Sequence, residues 1–283
     1  MAGGSNGVRA LKSKELFPAI FSRHAAAYER RLDQIMARGE ARGRQRVIEL
    51  VDARAGMAVL DVACGPGTLS RRLAALVAPG GQVVGIDLAH GMVEIARSAA
   101  IPNARFEVMD MEELSFPVAS FDAAACGHGL QFSPHLDRAL HEVRRVLRNG
   151  STFAASVPVT PLRDSVSALL DPVIDRWLPP APRAVDQDAT RQTVADADAL
   201  SSAALAAGFE SSRVEVVEER VVWESADQLV SLCSSWWDCA ARLEGVDAGR
   251  RRRFIEAATE ALRRGHPGAI ETTGRNHVLF AVA

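Results

Sequence analysis

The sequence predicts an α/β protein: a doubly wound, seven-stranded sheet with an N-terminal helical lid and a helical cap. Three observations carry this prediction. Between 57 and 157 short apolar runs alternate with helical segments, the signature of βαβ units closing a mostly parallel sheet. The first apolar run leads directly into Gly65-Pro66-Gly67, a strand-to-helix turn. The chain has 283 residues, 48% hydrophobic and 24% charged, which suffices for one large domain with additions.

Taken in order, Leu16, Ile20, Phe21, His24, Tyr28, Leu32 and Ile35 recur at helical spacing, with Val47, Leu50 and Val51 beyond, so 12–52 is helical. Ala58-Val59-Leu60-Asp61-Val62 is a buried strand. Helices are expected at 68–77, 90–100 and 134–147, and strands at 82–86, 105–109, 121–125 and 151–157. Arg148-Asn149-Gly150 reads as a helix stop. Beyond 158 the pattern loosens into proline-punctuated helix, helix at 193–207, a strand at 213–223, helix at 225–264 and a last strand at 276–282. The expected divisions are a lid at 1–52, a core at 53–157 continued by 191–224 and 271–283, and cap insertions at 158–190 and 225–270.

Composition narrows the function classes. Lys+Arg is 33 against Asp+Glu 35, a net charge of −2. No basic field is available for a polyanion, so no nucleic-acid partner is expected. Almost all positive charge is arginine, since Lys12 and Lys14 are the only lysines. Tyr28 is the single tyrosine, beside ten Phe and four Trp. The four cysteines form no CxxC pair and no cluster with histidine, so neither a disulfide framework nor a metal site is expected. Every apolar stretch is interrupted by charge and Met1 to Gly7 has no signal layout. The expectation is a cytoplasmic chain without a membrane span, with self-association left open.

The chemistry centres on Asp61-Val62-Ala63-Cys64-Gly65-Pro66-Gly67-Thr68. Gly65 and Gly67 let backbone approach a ligand with no Cβ in the way, and the next helix offers free N–H groups at its start. Asp87 closes the second strand 20 residues after Gly67, where a carboxylate can accept both hydroxyls of a ribose. Arg71 and Arg72 stand where a dinucleotide fingerprint needs glycine. A nucleoside with a small charged group fits better than a pyrophosphate.

With these residues the chain resembles the class I S-adenosylmethionine-dependent methyltransferases, in the branch that includes the ubiquinone/menaquinone C-methyltransferases. The resemblance covers 48–157. It rests on Val59 to Gly67, Val84-Gly85-Ile86-Asp87-Leu88 with Met92 to Ala96 behind, Asp110, Phe121-Asp122, and Arg144 to Gly150. It implies a Rossmann-like core that binds S-adenosyl-L-methionine. By position Gly65, Pro66 and Gly67 would pass along its methionine part and ribose, with Ala63 standing where many members carry glycine. Asp87 would hold the ribose and Leu88 pack on the adenine. Asp110 would accept from the adenine amino group, with Met111 at the ring's edge, and Gly127 and His128 would flank the methyl group. Asp61, Cys64 and Met92 complete the expected cofactor set, Cys64 through turn packing. The quinone enzymes' N-terminal signature is not met after Tyr28-Glu29-Arg30-Arg31, and their Glu-x-Ser is replaced by Ser156-Val157-Pro158.

His128, past the fourth strand, is the candidate general base, an imidazole being suited to take a proton near neutrality; alternatively it only lines the pocket. Tyr28 matches a lid position over the cofactor's methionine end and is the second candidate catalytic group, or else an amphipathic core aromatic. His24, Tyr28, Phe132, Trp177, Trp236 and Trp237 are the expected acceptor contacts, the tryptophans forming an aromatic cap for a bulky apolar molecule. They could equally be cap core. Arg250 to Arg253 read as a solvated helix start. The resulting expectation is methyl transfer to oxygen or carbon of a small to medium, largely apolar acceptor, in bacterial secondary metabolism. Two other readings stay open: a cofactor-binding scaffold for a rearrangement or cyclisation and, with less support, a nicotinamide oxidoreductase.

Overall fold

The computed structural model describes residues 11–159, 165–234 and 237–283. The chain opens with α1 (Ser13–Ala37) and α2 (Arg42–Val51), followed by β1 (Ala58–Val62), α3 (Thr68–Val77), β2 (Gln82–Asp87), α4 (His90–Ser98), β3 (Ala104–Val108) and β4 (Phe121–Gly127). A 3-10 turn, Leu130–Phe132, leads to α5 (Leu136–Val146) and β5 (Leu147–Val159). Then come α6 (Ser165–Trp177), α7 (Asp188–Ala195), α8 (Ala197–Ala206), β6 (Ser211–Trp223), α9 (Ala226–Cys233), α10 (Trp237–Glu244), α11 (Ala248–Gly265) and β7 (Ile270–Val282).

The seven strands form one sheet in the order β3-β2-β1-β4-β5-β7-β6. β7 runs antiparallel to both of its neighbours. Strand order reverses between β1 and β4, which pair in parallel, and ligands of such sheets lie outside the carboxyl ends of the strands at that reversal.

Side chains alternate across the sheet as the pleat requires. Leu60, Val62, Ile86, Cys126 and Phe153 face the layer of α5 and α8, with Leu140, Val143 and Leu200. Val59, Val83, Ala123 and Ala154 face α2 and α3, with Val47, Leu50, Leu69 and Leu73. α5 shows why these segments are helical: Leu136, Ala139, Leu140, Val143 and Val146 make one buried stripe. Asp196 and Asp247 accept from Ala199 N and Arg250 N, each at 2.9 Å, capping α8 and α11.

The helix expected at 225–264 is three helices and the last strand begins at Ile270, before the expected 276. Three further boundaries also differ from the sequence reading. The expected helix 12–52 is two helices, because Gly39 adopts φ +73° after α1 and turns the chain. The helix expected at 193–207 starts earlier and breaks at Asp196, the α8 cap. Arg148-Asn149-Gly150 lies inside β5, whose pairing with β4 shifts register between Phe121 and Ala123.

Val159 at the end of β5 pairs with Arg275, yet the β6–β7 ladder runs on to Trp223 and Ile270. The hairpin therefore projects past the carboxyl edge of the parallel strands. There α6, α9, α10 and α11 gather on Trp223 and Ile270 in a separate apolar cluster that includes Leu229, Phe254 and Leu262.

Candidate active site

The turn after β1 supplies the base of a cleft. Ala63, Gly65 and Gly67 all take positive φ, +54°, +55° and +82°. A Cβ added at Gly65 would meet nothing within 4 Å, so the space above the turn is open. Gly67 is the N-cap of α3 and brings no side chain, which leaves first-turn N–H groups of that helix without a side-chain cap.

Asp87, at the end of β2, braces this turn. Its Oδ2 accepts from Gly65 N at 2.9 Å and its Oδ1 from Ala89 N at 2.8 Å. Burial pushes its pKa up, against the pull of these N–H donors. Each oxygen keeps acceptor capacity for a hydroxyl.

Asp61 reaches from β1 to Ser70 Oγ, which donates to its Oδ2 at 2.5 Å. Its Oδ1 is buried with no partner among the described residues. Burial raises the carboxyl to about 7, with Ser70 opposing and the Asp87 charge adding to the rise. Arg44, from α2, is 8% exposed and donates to the Tyr28 hydroxyl at 3.0 Å. Among the described residues it has no carboxylate partner. Asp61, Arg44 and Tyr28 line one small cavity with Ala63, Cys64 and Gly127. A buried cation and a buried carboxyl therefore share one cavity.

That cavity adjoins a larger, partly open cleft, with Tyr28, Ala63, Gly65 and Gly127 lining both. Asp87, Leu88, Met92, Asp110, Met111, Gly127 and His128 all line it, as do Ala63, Gly65, Tyr28 and Phe132. α1 forms its roof. Gly91 makes this approach feasible, since a Cβ there would lie 2.5 Å from Ser22 O.

His128 follows β4 with φ +62°, an unusual conformation for a side-chain-bearing residue and the kind of strain found at functional sites. Its N–H donates to Ser156 O at 2.9 Å. Burial lowers the imidazole pKa well below the ordinary range and Arg44 adds to this, while Asn276 pulls it upward. The ring is therefore neutral at physiological pH. Gly129 is obligatory beside it, because a Cβ there would come within 2.4 Å of Ala63 Cβ.

Other expected residues lie elsewhere. Cys64 packs behind the turn with Val93, Ala96 and Phe106, and burial pushes its thiol pKa well above the ordinary value. Pro66 lines the small cavity, and Gly67 turns into α3. His24 points away from the cleft to Glu244 of α10, Nε2 to Oε1 2.8 Å. Trp177 does not line the cleft: it packs on the α6–α11 cluster and carries Arg253 over its ring at 5.6 Å. Trp236 lies outside the described residues, and Trp237 begins α10. The aromatic wall comes instead from α1, where Phe17 and Phe21 sit 4.9 and 5.1 Å from Phe132 and Phe21 meets Tyr28 edge-on at 6.0 Å.

The sequence reading also passed over Lys14, Arg44 and Glu112. Lys14 Nζ lies 2.6 Å from both Asp110 Oδ2 and Glu112 Oε2. Phe17 and Phe21, four apart on one helical face, were the available signal for the wall; Lys14 and Arg44 carried none beyond their rarity or type.

Comparison with known proteins agrees with this geometry. Residues 59–150 match the family model described as a methyltransferase domain. The ubiquinone/menaquinone biosynthesis C-methyltransferase of Pseudomonas putida is 30% identical over 185 residues, 64% of this chain and 71% of that one. The 2-phytyl-1,4-naphtoquinone methyltransferase of Synechococcus elongatus is 28% identical over 206 residues, 69% of this chain and 88% of its relative. A protein from Anaeromyxobacter dehalogenans described as a type II methyltransferase shares the fold, with TM-score 0.57 at 22% identity over 84% of this chain and 94% of that one. The chain belongs to the class I S-adenosylmethionine-dependent methyltransferase family, and S-adenosylmethionine is its cofactor. Among the described residues no helix is long and apolar enough to cross a membrane.

Proposed function

We propose that the chain methylates a carbon or oxygen of a flat, largely apolar, hydroxyl-bearing acceptor, the kind of ring found in secondary metabolites and in the quinones named for its relatives. The carrying observation is that one continuous cleft joins the Asp87–Gly65 cradle to the aromatic wall of Phe17, Phe21, Tyr28 and Phe132. The cradle suits a ribose, and the wall suits a ring face.

When bound, S-adenosylmethionine supplies an electrophilic methyl group on a sulfonium. Asp87 would hold the ribose hydroxyls, Asp110 the adenine amino group, and Leu88, Met92 and Met111 the adenine faces and edge. Arg44 would take the carboxylate of the methionine end and Asp61 its ammonium, with Tyr28 steadying Arg44. α1 is the lid that excludes water, and the helices beyond the hairpin are the cap. Near Gly127 the neutral His128 would accept the proton that the acceptor atom gives up on methylation. Its low basicity suits an acceptor that is itself acidic, such as a phenol.

Two measurements test this. Isothermal titration with S-adenosylhomocysteine is expected to give binding that Asp87→Ala weakens at least tenfold; unchanged binding would sink the cofactor assignment. Incubation with S-adenosylmethionine and a panel of naphthoquinols and other phenols is expected to yield products heavier by one methylene unit. Conversion at unchanged mass would favour a scaffold for rearrangement instead.

A further inference from the structure

The base reading of His128 leaves its second nitrogen unexplained. Nε2 is buried and has no partner among the described residues, and so is Oδ1 of Asn276. Asn276 is 1% exposed and sits on β7 opposite Pro158, two residues beyond Ser156, whose carbonyl accepts from His128 N. It lies against the imidazole.

The amide is held there from the other side. A Cβ added at Gly43 of α2 would stand 2.7 Å from Asn276 Cγ, so the α2 backbone packs directly onto the carboxamide. Gly43 N donates to Glu219 Oε1 at 2.8 Å, which fixes that stretch to β6. A carboxamide on an interior strand contributes nothing to packing that an apolar residue would not, and an unmet oxygen there is destabilising. These two adjacent buried groups, neither with a partner among the described residues, meet each other's need by a small rotation when Nε2 carries the hydrogen.

We propose that Asn276 is a positioning residue for His128: its Oδ1 takes the Nε2 hydrogen and fixes the tautomer that turns the Nδ1 lone pair to the cleft. The inference rests on the reading of His128 as the proton acceptor, because only then does the choice of tautomer bear on turnover. A histidine takes its tautomer from the hydrogen bond its other nitrogen makes. With no partner at Nε2 the hydrogen is free to sit on Nδ1, which would point a donor, not an acceptor, at the substrate.

Nitrogen NMR of the [15N]histidine-labelled full chain with S-adenosylhomocysteine bound reads the tautomer directly, with the His128 signal assigned by its loss in His128→Gln. The expected result is a neutral Nε2–H ring in the wild type and, in Asn276→Ala, a mixed or Nδ1–H ring. In the same variant kcat is expected to fall about tenfold while KM for the cofactor changes less than about twofold. An Nδ1–H ring in the wild type overturns the proposal even if no variant folds, and so does an unchanged tautomer in Asn276→Ala. The tautomer is measured without turnover, so it stands apart from the base reading, which fails instead if His128→Gln keeps full kcat.

Discussion

Ser70 Oγ donates a 2.5 Å hydrogen bond to Asp61 Oδ2, while Asp61 Oδ1, on the same buried carboxyl, has no donor among the described residues. The half-satisfied group titrates at about 7, against about 4 in an unfolded chain. Stability from this group is fully present below pH ~4 and is lost as pH rises through about 7. Asp61→Asn is expected to abolish that loss in thermal melts between these values. A ligand ammonium favours the ionised form, so S-adenosylhomocysteine affinity should rise by up to about tenfold per pH unit below 7 and level off above. Isothermal titration in buffers of different ionisation enthalpy would register proton release at pH 6; zero release would contradict the assignment.

Lys14 ties the first turn of α1 to Asp110 and Glu112. Burial alone would lower its pKa, but hydrogen bonds to both carboxylates outweigh this and hold it above the ordinary value. Lys14→Met keeps the stem and removes the charge, leaving buried Glu112 with Ser133 Oγ and His135 N as donors. A loss of roughly 1–3 kcal/mol is expected. Hydrogen exchange should accelerate at amides 16–21 and leave those of β4 unchanged.

Ala63 pays for its position with φ +54°, where a Cβ costs about 1–2 kcal/mol. Ala63→Gly is expected to raise stability by up to ~1 kcal/mol, after the greater chain entropy of glycine is counted. The paired change, Gly129→Ala, should be strongly destabilising because Ala63 Cβ and Cys126 Sγ lie 2.4 and 2.7 Å from the added carbon. Urea melts of both, and of the double variant Ala63→Gly/Gly129→Ala, which should recover part of the loss, would check this.

Trp177 belongs to the α6–α11 packing and not to the cleft. Trp177→Phe should therefore lower the melting temperature by a few degrees, since ~1 kcal/mol moves a chain of this size by about 2–4 °C. Steady-state KM for either substrate should be unchanged. An acceptor KM raised severalfold would return the tryptophan to the site.

The parts of the fold and cleft legible in the sequence are those coded by neighbouring residues. Asp61, Gly65, Asp87, Asp110, Gly127 and His128 stand at or just past strand ends or in the turns that follow, and parallel pairing brings those ends together. Arg44, Lys14 and Asn276 reach the same region from α2, α1 and β7, whose docking depends on tertiary contacts such as Gly91 against Ser22 and Gly43 against Asn276. No local pattern encodes those contacts. Trp177 was hard to place for a related reason: size and apolarity say that it and Trp223 are covered, and not by what. Trp223 is covered by its own cluster and donates to Thr272 Oγ1 at 2.9 Å.

The near-absence of lysine acquires a use from this arrangement. Lys12 and Lys14 are the only side-chain primary amines among 33 basic residues, and Lys14 lines the cleft. An acylating reagent thus finds almost nothing to modify except the first turn of α1. Mass mapping of that one peptide, with and without nucleoside present, becomes a footprint of occupancy, and Lys12, exposed two residues away, serves as its internal standard.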